Sequence, residues 1–203
     1  MYQLKIELQA GGFEIWRRVL VAEDLSFQKL HGVIQAAFDW QDTHKHECFV
    51  LAEPVEFGAG VPVESLERKA VIVGDDGARG AGSEDAVMLN ENETVLSDVF
   101  ADADMCVYHY DFTDNWFHVI RLEKVVEDLA DLGELAGGQA KLLDRCGVRP
   151  PEGVGGVSGF EGYVNVIADK KHPFREQMMD WVEGLEERDL TIEEINRNME
   201  KIF

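Results

Sequence analysis

The sequence predicts an α+β protein: a mixed, largely antiparallel sheet opening as hairpin–helix–strand, helices on one face of it, and a helical C-terminus. Three observations carry this. Apolar and polar residues alternate with period two at the N-terminus, and two further apolar-rich strand segments flank a turn over about 105–126. A segment between them repeats its apolar residues with helical period. The last forty or so residues carry helix starts and apolar stripes rather than alternation.

Taken in order, Tyr2, Leu4, Ile6 and Leu8 alternate with Gln3, Lys5, Glu7 and Gln9, as in a half-buried strand. Gly11-Gly12 breaks the run, and Ile15 to Val21 returns as its hairpin partner. Ser26 is placed to cap a helix whose buried stripe is Phe27, Leu30, Val33, Ile34, Ala37 and Phe38. Glu47 to Leu51 follows as a strand, an element order that resembles the opening of a β-grasp-like layer. From about 52 to 92, Gly and Pro punctuate the chain, which predicts a long flexible loop with one short strand at Ala70–Val73. Thr94–Phe100 reads as a short helix. Met105–Phe112 and Phe117–Val126 read as two strands around the turn Thr113-Asp114-Asn115-Trp116. An acidic, Gly-containing connection follows Glu127, and Ala140–Cys146 reads as a helix. After a Pro150–Gly159 loop come three helices, Phe160–Ala168, Pro173–Glu183 and Ile192–Ile202. Thr191 and Glu194 have capping-box spacing for the last. With no repeat or linker in sight, residues 1–203 are read as one domain, its helical C-terminal part beginning at about 160.

The chain has 203 residues, 45% hydrophobic and 29% charged, ordinary for a globular protein with its own core. Its charge is unusual: 19 Lys and Arg stand against 40 Asp and Glu, a net of -21. Phosphate backbones and anionic membranes are bound through Lys and Arg, so nucleic acid and membrane surfaces are not expected partners. The Arg17-Arg18 pair reads as the solvated face of a strand. The acidic surface and the long loop at about 52–92 could serve a basic or peptide partner, though neither feature names one. Cys48, Cys106 and Cys146 are odd in number and lack CxxC spacing, which argues for reduced, mostly buried thiols. No signal-peptide stretch opens the chain, and no run approaches the ~18 apolar residues of a membrane span, so a cytoplasmic location is expected.

Three segments could carry chemistry. In Trp40-Gln41-Asp42-Thr43-His44-Lys45-His46-Glu47, strand geometry would put His44 and His46 on one face, half of a metal site. In Tyr108 to His118, a two-residue turn at Asp114-Asn115 would set Asp111 opposite His118, able to orient its imidazole, with His109 on the same face. Tyr108, Tyr110, Phe112 and Phe117 would then point into the core. The third segment, Pro150-Pro151-Glu152 through Gly155-Gly156 to Phe160, is Gly-rich but lacks a phosphate-loop lysine and reads as a structural loop capped by Ser158.

Together these residues resemble the plasmid pRiA4b ORF-three-like family, sometimes given a resolvase-like label as an insertion-element passenger. The resemblance rests on Ile15-Trp16-Arg17-Arg18-Val19 and on Leu30 to Trp40 with Asp42, His44 and His46. It continues through Tyr110-Asp111-Phe112 with Asp114, Trp116 and His118, and through Pro150-Pro151-Glu152 with Gly155-Gly156, Gly159 and Phe160. Glu193 to Arg197 completes it. Thr113 stands where the family often has glycine, and Arg149 where it often has cysteine. The family implies an α+β domain without an established activity.

Three functions are therefore entertained. One is a non-enzymatic binding or accessory module. The second is a metal-dependent hydrolase-like enzyme holding a divalent ion with His44, His46, Asp111 and His118, with Asp114 or Glu47 as general base. The third, a DNA-transaction accessory of a mobile element, rests on the family's label alone; no serine-recombinase motif or basic recognition helix is present.

Overall fold

The computed structural model describes residues 1–57, 61–80, 85–127, 139–184 and 190–203. Strand β1 (Tyr2–Ala10) turns at Gly11, whose φ is +64°, into β2 (Phe13–Val21), and every second residue of β1 is buried. Ser26 accepts a hydrogen bond from the Lys29 N–H and starts α1 (Phe27–Phe38). All six residues of its expected apolar stripe are buried. The helix ends without glycine, Asp39 taking the left-handed conformation at φ 53°. Strands β3 (His46–Leu51), β4 (Arg68–Val73), β5 (Val87–Asn90), β6 (Met105–Tyr110), β7 (Trp116–Val125) and β8 (Ala140–Cys146) complete one sheet. Its order is β5-β4-β3-β6-β7-β1-β2-β8, with only β4 and β5 parallel. A short α2 (Leu96–Phe100) precedes β6. The C-terminal helices are α3 (Gly156–Ala168), α4 (Arg175–Gly184) and α5 (Ile192–Met199), and α5 runs into a 3-10 turn.

One face of the sheet meets the helices. Leu4, Ile6 and Leu8 of β1, Tyr108, Tyr110 and Trp116 join the α1 stripe, Phe160 of α3, and Ile195 and Met199 of α5 in the main core. The other face carries Phe49, Leu51, Val71, Val73, Val107, Phe117 and Val119, and is covered by Val63 with Val55, Phe57 and Leu66. These last four come from the segment expected to be a loop. Its Gly and Pro residues break it up, but Val55, Phe57, Val63 and Leu66 cover the second face, and it also contributes β4 and β5. Parts of that segment, and most of the acidic connection after Glu127, lie outside the described residues.

Two expectations are corrected. Ala140–Cys146 is a strand, because Ala140 and Leu142 meet the open side of β2 in antiparallel register and become buried there. Non-local pairing overrides a weak local helix signal. Outside it, the Asn196 side chain both donates to Leu142 O at 3.1 Å and accepts from Leu142 N at 2.7 Å, docking α5 on this edge. Arg17 is not solvated: it is buried, with its guanidinium over the Phe38 ring and donating to the carbonyls of Ala37, Trp16 and Cys146. It satisfies the C-terminal end of α1, where carbonyls lack helical partners.

Among the described residues no helix is long and apolar enough to cross a membrane. The three cysteines are free thiols, Cys48 and Cys106 fully enclosed in the core. Burial pushes both thiols to higher pKa.

Candidate functional site

The loop leaving α1 folds back over the sheet and is pinned from below. Trp40 stacks on Tyr110 at 5.0 Å and donates its indole N–H to Pro150 O at 3.1 Å. The Tyr110 hydroxyl accepts from Thr43 N and donates to Glu152, whose other oxygen accepts from Gln41 N. The first and third motif segments thus dock on each other through Glu152. Asp42, held in this loop at φ 54°, is brought beside α1.

There, three ligand-competent side chains converge. His31 from α1, Asp42 from the loop and His46 from β3 offer donor atoms that all lie within 4.8 Å of one another, the one such group among the described residues. His31 Nε2 is 2.9 Å from Asp42 Oδ1, and its Nδ1 is 2.8 Å from the Tyr108 hydroxyl. His46 Nε2 is 2.9 Å from Glu91 Oε2. The two imidazoles stack face to face, centroids 3.5 Å apart and planes within 1°. Glu91 reaches the site because its own N–H extends the sheet to Val73 O and its carbonyl accepts from Gln28 N on α1. The His31 hydrogen bond holds the Asp42 carboxyl below its usual pKa despite partial burial. The group opens onto a cleft of about 330 Å³, also lined by Gln28, His44, Lys45, Asp75 and Asp76. Lys45 is paired with Asp76 there.

The expected constellation of His44, His46, Asp111 and His118 does not form a ligand group. The reason is register. The β6–β7 pairing sets Tyr110 opposite Trp116 and Tyr108 opposite His118, so the connection has five residues, 111–115, rather than two. Asp111 falls outside the ladder, at φ 56°, and its carboxylate caps that turn by accepting from Thr113 N and Asp114 N. An odd shift in register also exchanges faces: Tyr108, Tyr110 and His118 share the core face, while His109 and Phe117 point the other way. His44 sits in the bend before β3, its Nδ1 3.6 Å from Asp111 Oδ2, and it lines the cleft. His118 is 0% exposed, edge-on to Phe38 and Trp40; its Nδ1 lies 3.2 Å from Trp116 O, and its Nε2 has no hydrogen-bond partner. Burial pushes its pKa down to about 3.

Neither expected base lines the cleft. Asp114 accepts from Gly155 N at 3.0 Å, tying the turn to the start of α3. Glu47 lies on the second face, wholly buried, accepting from Arg68 Nη1 at 2.8 Å and Gly80 N at 2.9 Å, with His109 Nδ1 3.1 Å away. Arg68 reaches it because a bulge opposite Val50 and Leu51 turns its side chain through the sheet. These partners outweigh burial and hold Glu47 below its usual pKa. His31 and Glu91, which the sequence reading passed over, hold the places in the cleft instead. His31 sits within the apolar stripe of α1, four residues from the polar Gln35 on the same buried face.

The family model described as plasmid pRiA4b ORF-3-like protein matches residues 1–198. The uncharacterized protein y4hQ of Sinorhizobium fredii (strain NBRC 101917 / NGR234) is 28% identical over 179 residues, 88% of this chain and 79% of that protein. A crystal structure of a protein of unknown function, MM3350 from Methanosarcina mazei Go1, superposes with a TM-score of 0.69 at 28% identity, covering 94% of this chain and 90% of that one.

Proposed function

This chain belongs to the plasmid pRiA4b ORF-3-like family, and within it we propose the role of a binding module whose cleft holds a divalent transition-metal ion at His31, Asp42 and His46. The observation that carries the reading is the convergence of two imidazoles and a carboxylate from three separate elements. Imidazole nitrogen with carboxylate oxygen is the donor set of zinc-type ions. Glu91, now on His46, and Tyr108, on the far nitrogen of His31, are the kind of outer partners that orient ligating histidines. The lone pairs of the two stacked rings lie in parallel planes about 3.5 Å apart, so an ion shared by both requires the stack to open. A hydrolytic role is less favoured, because neither Glu47 nor Asp114 lines the cleft to serve as base.

Titration of the metal-stripped full chain with zinc chloride tests this. The expected result is one ion per chain, lost in His46→Ala and retained in His44→Ala. Absence of stoichiometric binding, or equal binding by the folded His46→Ala variant, overturns the reading.

A further inference from the structure

Asp42, Gln35, Tyr108 and His31 form a closed ring of hydrogen bonds whose direction follows from one atom. The main-chain N–H of Asp42 can only donate, and it lies 3.0 Å from the Gln35 side chain, so the atom facing it is the amide oxygen. The Gln35 NH₂ is thereby turned on the Tyr108 hydroxyl at 2.9 Å and donates to it. The Tyr108 proton is left for His31 Nδ1 at 2.8 Å. Since Nδ1 accepts, the imidazole proton sits on Nε2 and donates to the Asp42 carboxylate at 2.9 Å. Each of the four links thus runs from a donor to an acceptor. Gln35 and Tyr108 are buried, and no other described group hydrogen-bonds the Tyr108 hydroxyl.

We infer that Gln35 is a positioning residue that sets how tightly the proposed centre holds its ion, by keeping the His31 proton on the nitrogen the ion needs. The inference rests on the metal-binding reading above. To offer its Nε2 lone pair, the neutral ring must carry its proton on Nδ1, so the proton moves within His31 and none is gained or lost. Nδ1–H then donates to the Tyr108 oxygen, and the Tyr108 O–H needs an acceptor. Gln35 presents only NH₂ there. Rotating the amide would set that NH₂ against the Asp42 N–H, which cannot rotate. Ion binding therefore leaves the buried Tyr108 O–H without an acceptor, in a ring whose links are all satisfied without the ion. A carboxylate at position 35 removes the conflict, because it accepts from the Asp42 N–H and the Tyr108 O–H together.

The test uses the full chain with ¹⁵N-labelled histidine. In the ion-free protein, long-range ¹⁵N–¹H spectra are expected to show His31 protonated on Nε2 and bare on Nδ1; a proton on Nδ1 overturns the inference. Zinc titration at pH 8 is expected to show Gln35→Glu binding about tenfold tighter than the unaltered chain, the worth of one restored buried hydrogen bond. Asn92→Asp adds the same charge on the exposed turn after Glu91, outside the cleft lining and without touching the ring, and is expected to change affinity less than about threefold, as a screened surface charge does. Equal tightening in both variants, or none in a folded Gln35→Glu protein, overturns the role of Gln35 while leaving the metal site standing. If zinc binds neither the unaltered chain nor Gln35→Glu, the metal reading itself falls, and the ¹⁵N pattern alone decides the direction of the ring.

Discussion

Replacing Arg68 by methionine is expected to destabilise the protein by about 3–5 kcal/mol, the usual cost of stripping one partner from a buried ion pair. The structure supports the upper part of that range. Glu47 is 0% exposed, and the Arg68 side chain 1%. Methionine fills much of the arginine stem beside the Phe49 ring, so packing loss is small and the loss of charge dominates. Among the described residues Glu47 then keeps Gly80 N and His109 as partners. Burial, the largest influence on this carboxyl and the one that raises its pKa, is then opposed by less. The sign of the pH dependence follows. In the unaltered protein the Glu47 pKa lies below the unfolded value of 4.5, so its contribution is complete above pH 4.5 and is lost as pH falls through the folded value. In Arg68→Met the folded pKa rises, so acid relieves the buried charge and the gap between the two proteins narrows as pH is lowered from 7 to 4. Urea unfolding at several pH values measures both effects, and the difference between the proteins cancels every other titrating group. Glu47→Gln combined with Arg68→Met is expected to recover a large part of the loss. A cost under about 1 kcal/mol at pH 7, or a gap that widens in acid, refutes the reasoning.

His118 stays neutral in the folded state down to about pH 3, whereas the unfolded chain protonates near 6.5. Stability is therefore expected to fall as pH drops through that window, by up to about 1.4 kcal/mol per unit, and His118→Leu to flatten this slope in acid urea unfolding; an unchanged slope contradicts the assignment. Gly156 has φ +68°, and a Cβ on it would lie 2.7 Å from Asp114 O, so Gly156→Ala is expected to lower stability by about 2–3 kcal/mol in thermal melts. A variant as stable as the unaltered chain would mean that the turn and the start of α3 are not held together as described.

The α1 stripe and the β1–β2 hairpin were legible because their burial periodicity is local: Phe27 to Phe38 repeats with the helical period and Tyr2 to Leu8 with the strand period. The motif segments were legible as a set, and the match over residues 1–198 agrees with the resemblance. What failed depended on distant partners. Ala140–Cys146 becomes a strand only in the presence of β2, and the β6–β7 register depends on Asp111 capping a five-residue turn that Asp114-Asn115 does not advertise. Moving that register by three residues took His118 from a supposed polar site into an aromatic core. His31 and Gln35 could have been found: two polar residues at i and i+4 within an apolar stripe need partners wherever they are buried. Glu91 could not, since its approach depends on β5 joining the sheet in parallel.

The two margins of the sheet differ in a way that bears on self-association. At the β8 margin an incoming strand meets the Asn196 amide already occupying both main-chain polar groups of Leu142. At the β5 margin Val87 and Met88 stand 60% and 40% exposed. Unpaired strand margins with apolar side chains are the places where chains add to one another. Among the described residues the β5 margin is thus the more open of the two to a further strand, while helix α5, beyond its part in the core, occupies part of the opposite one.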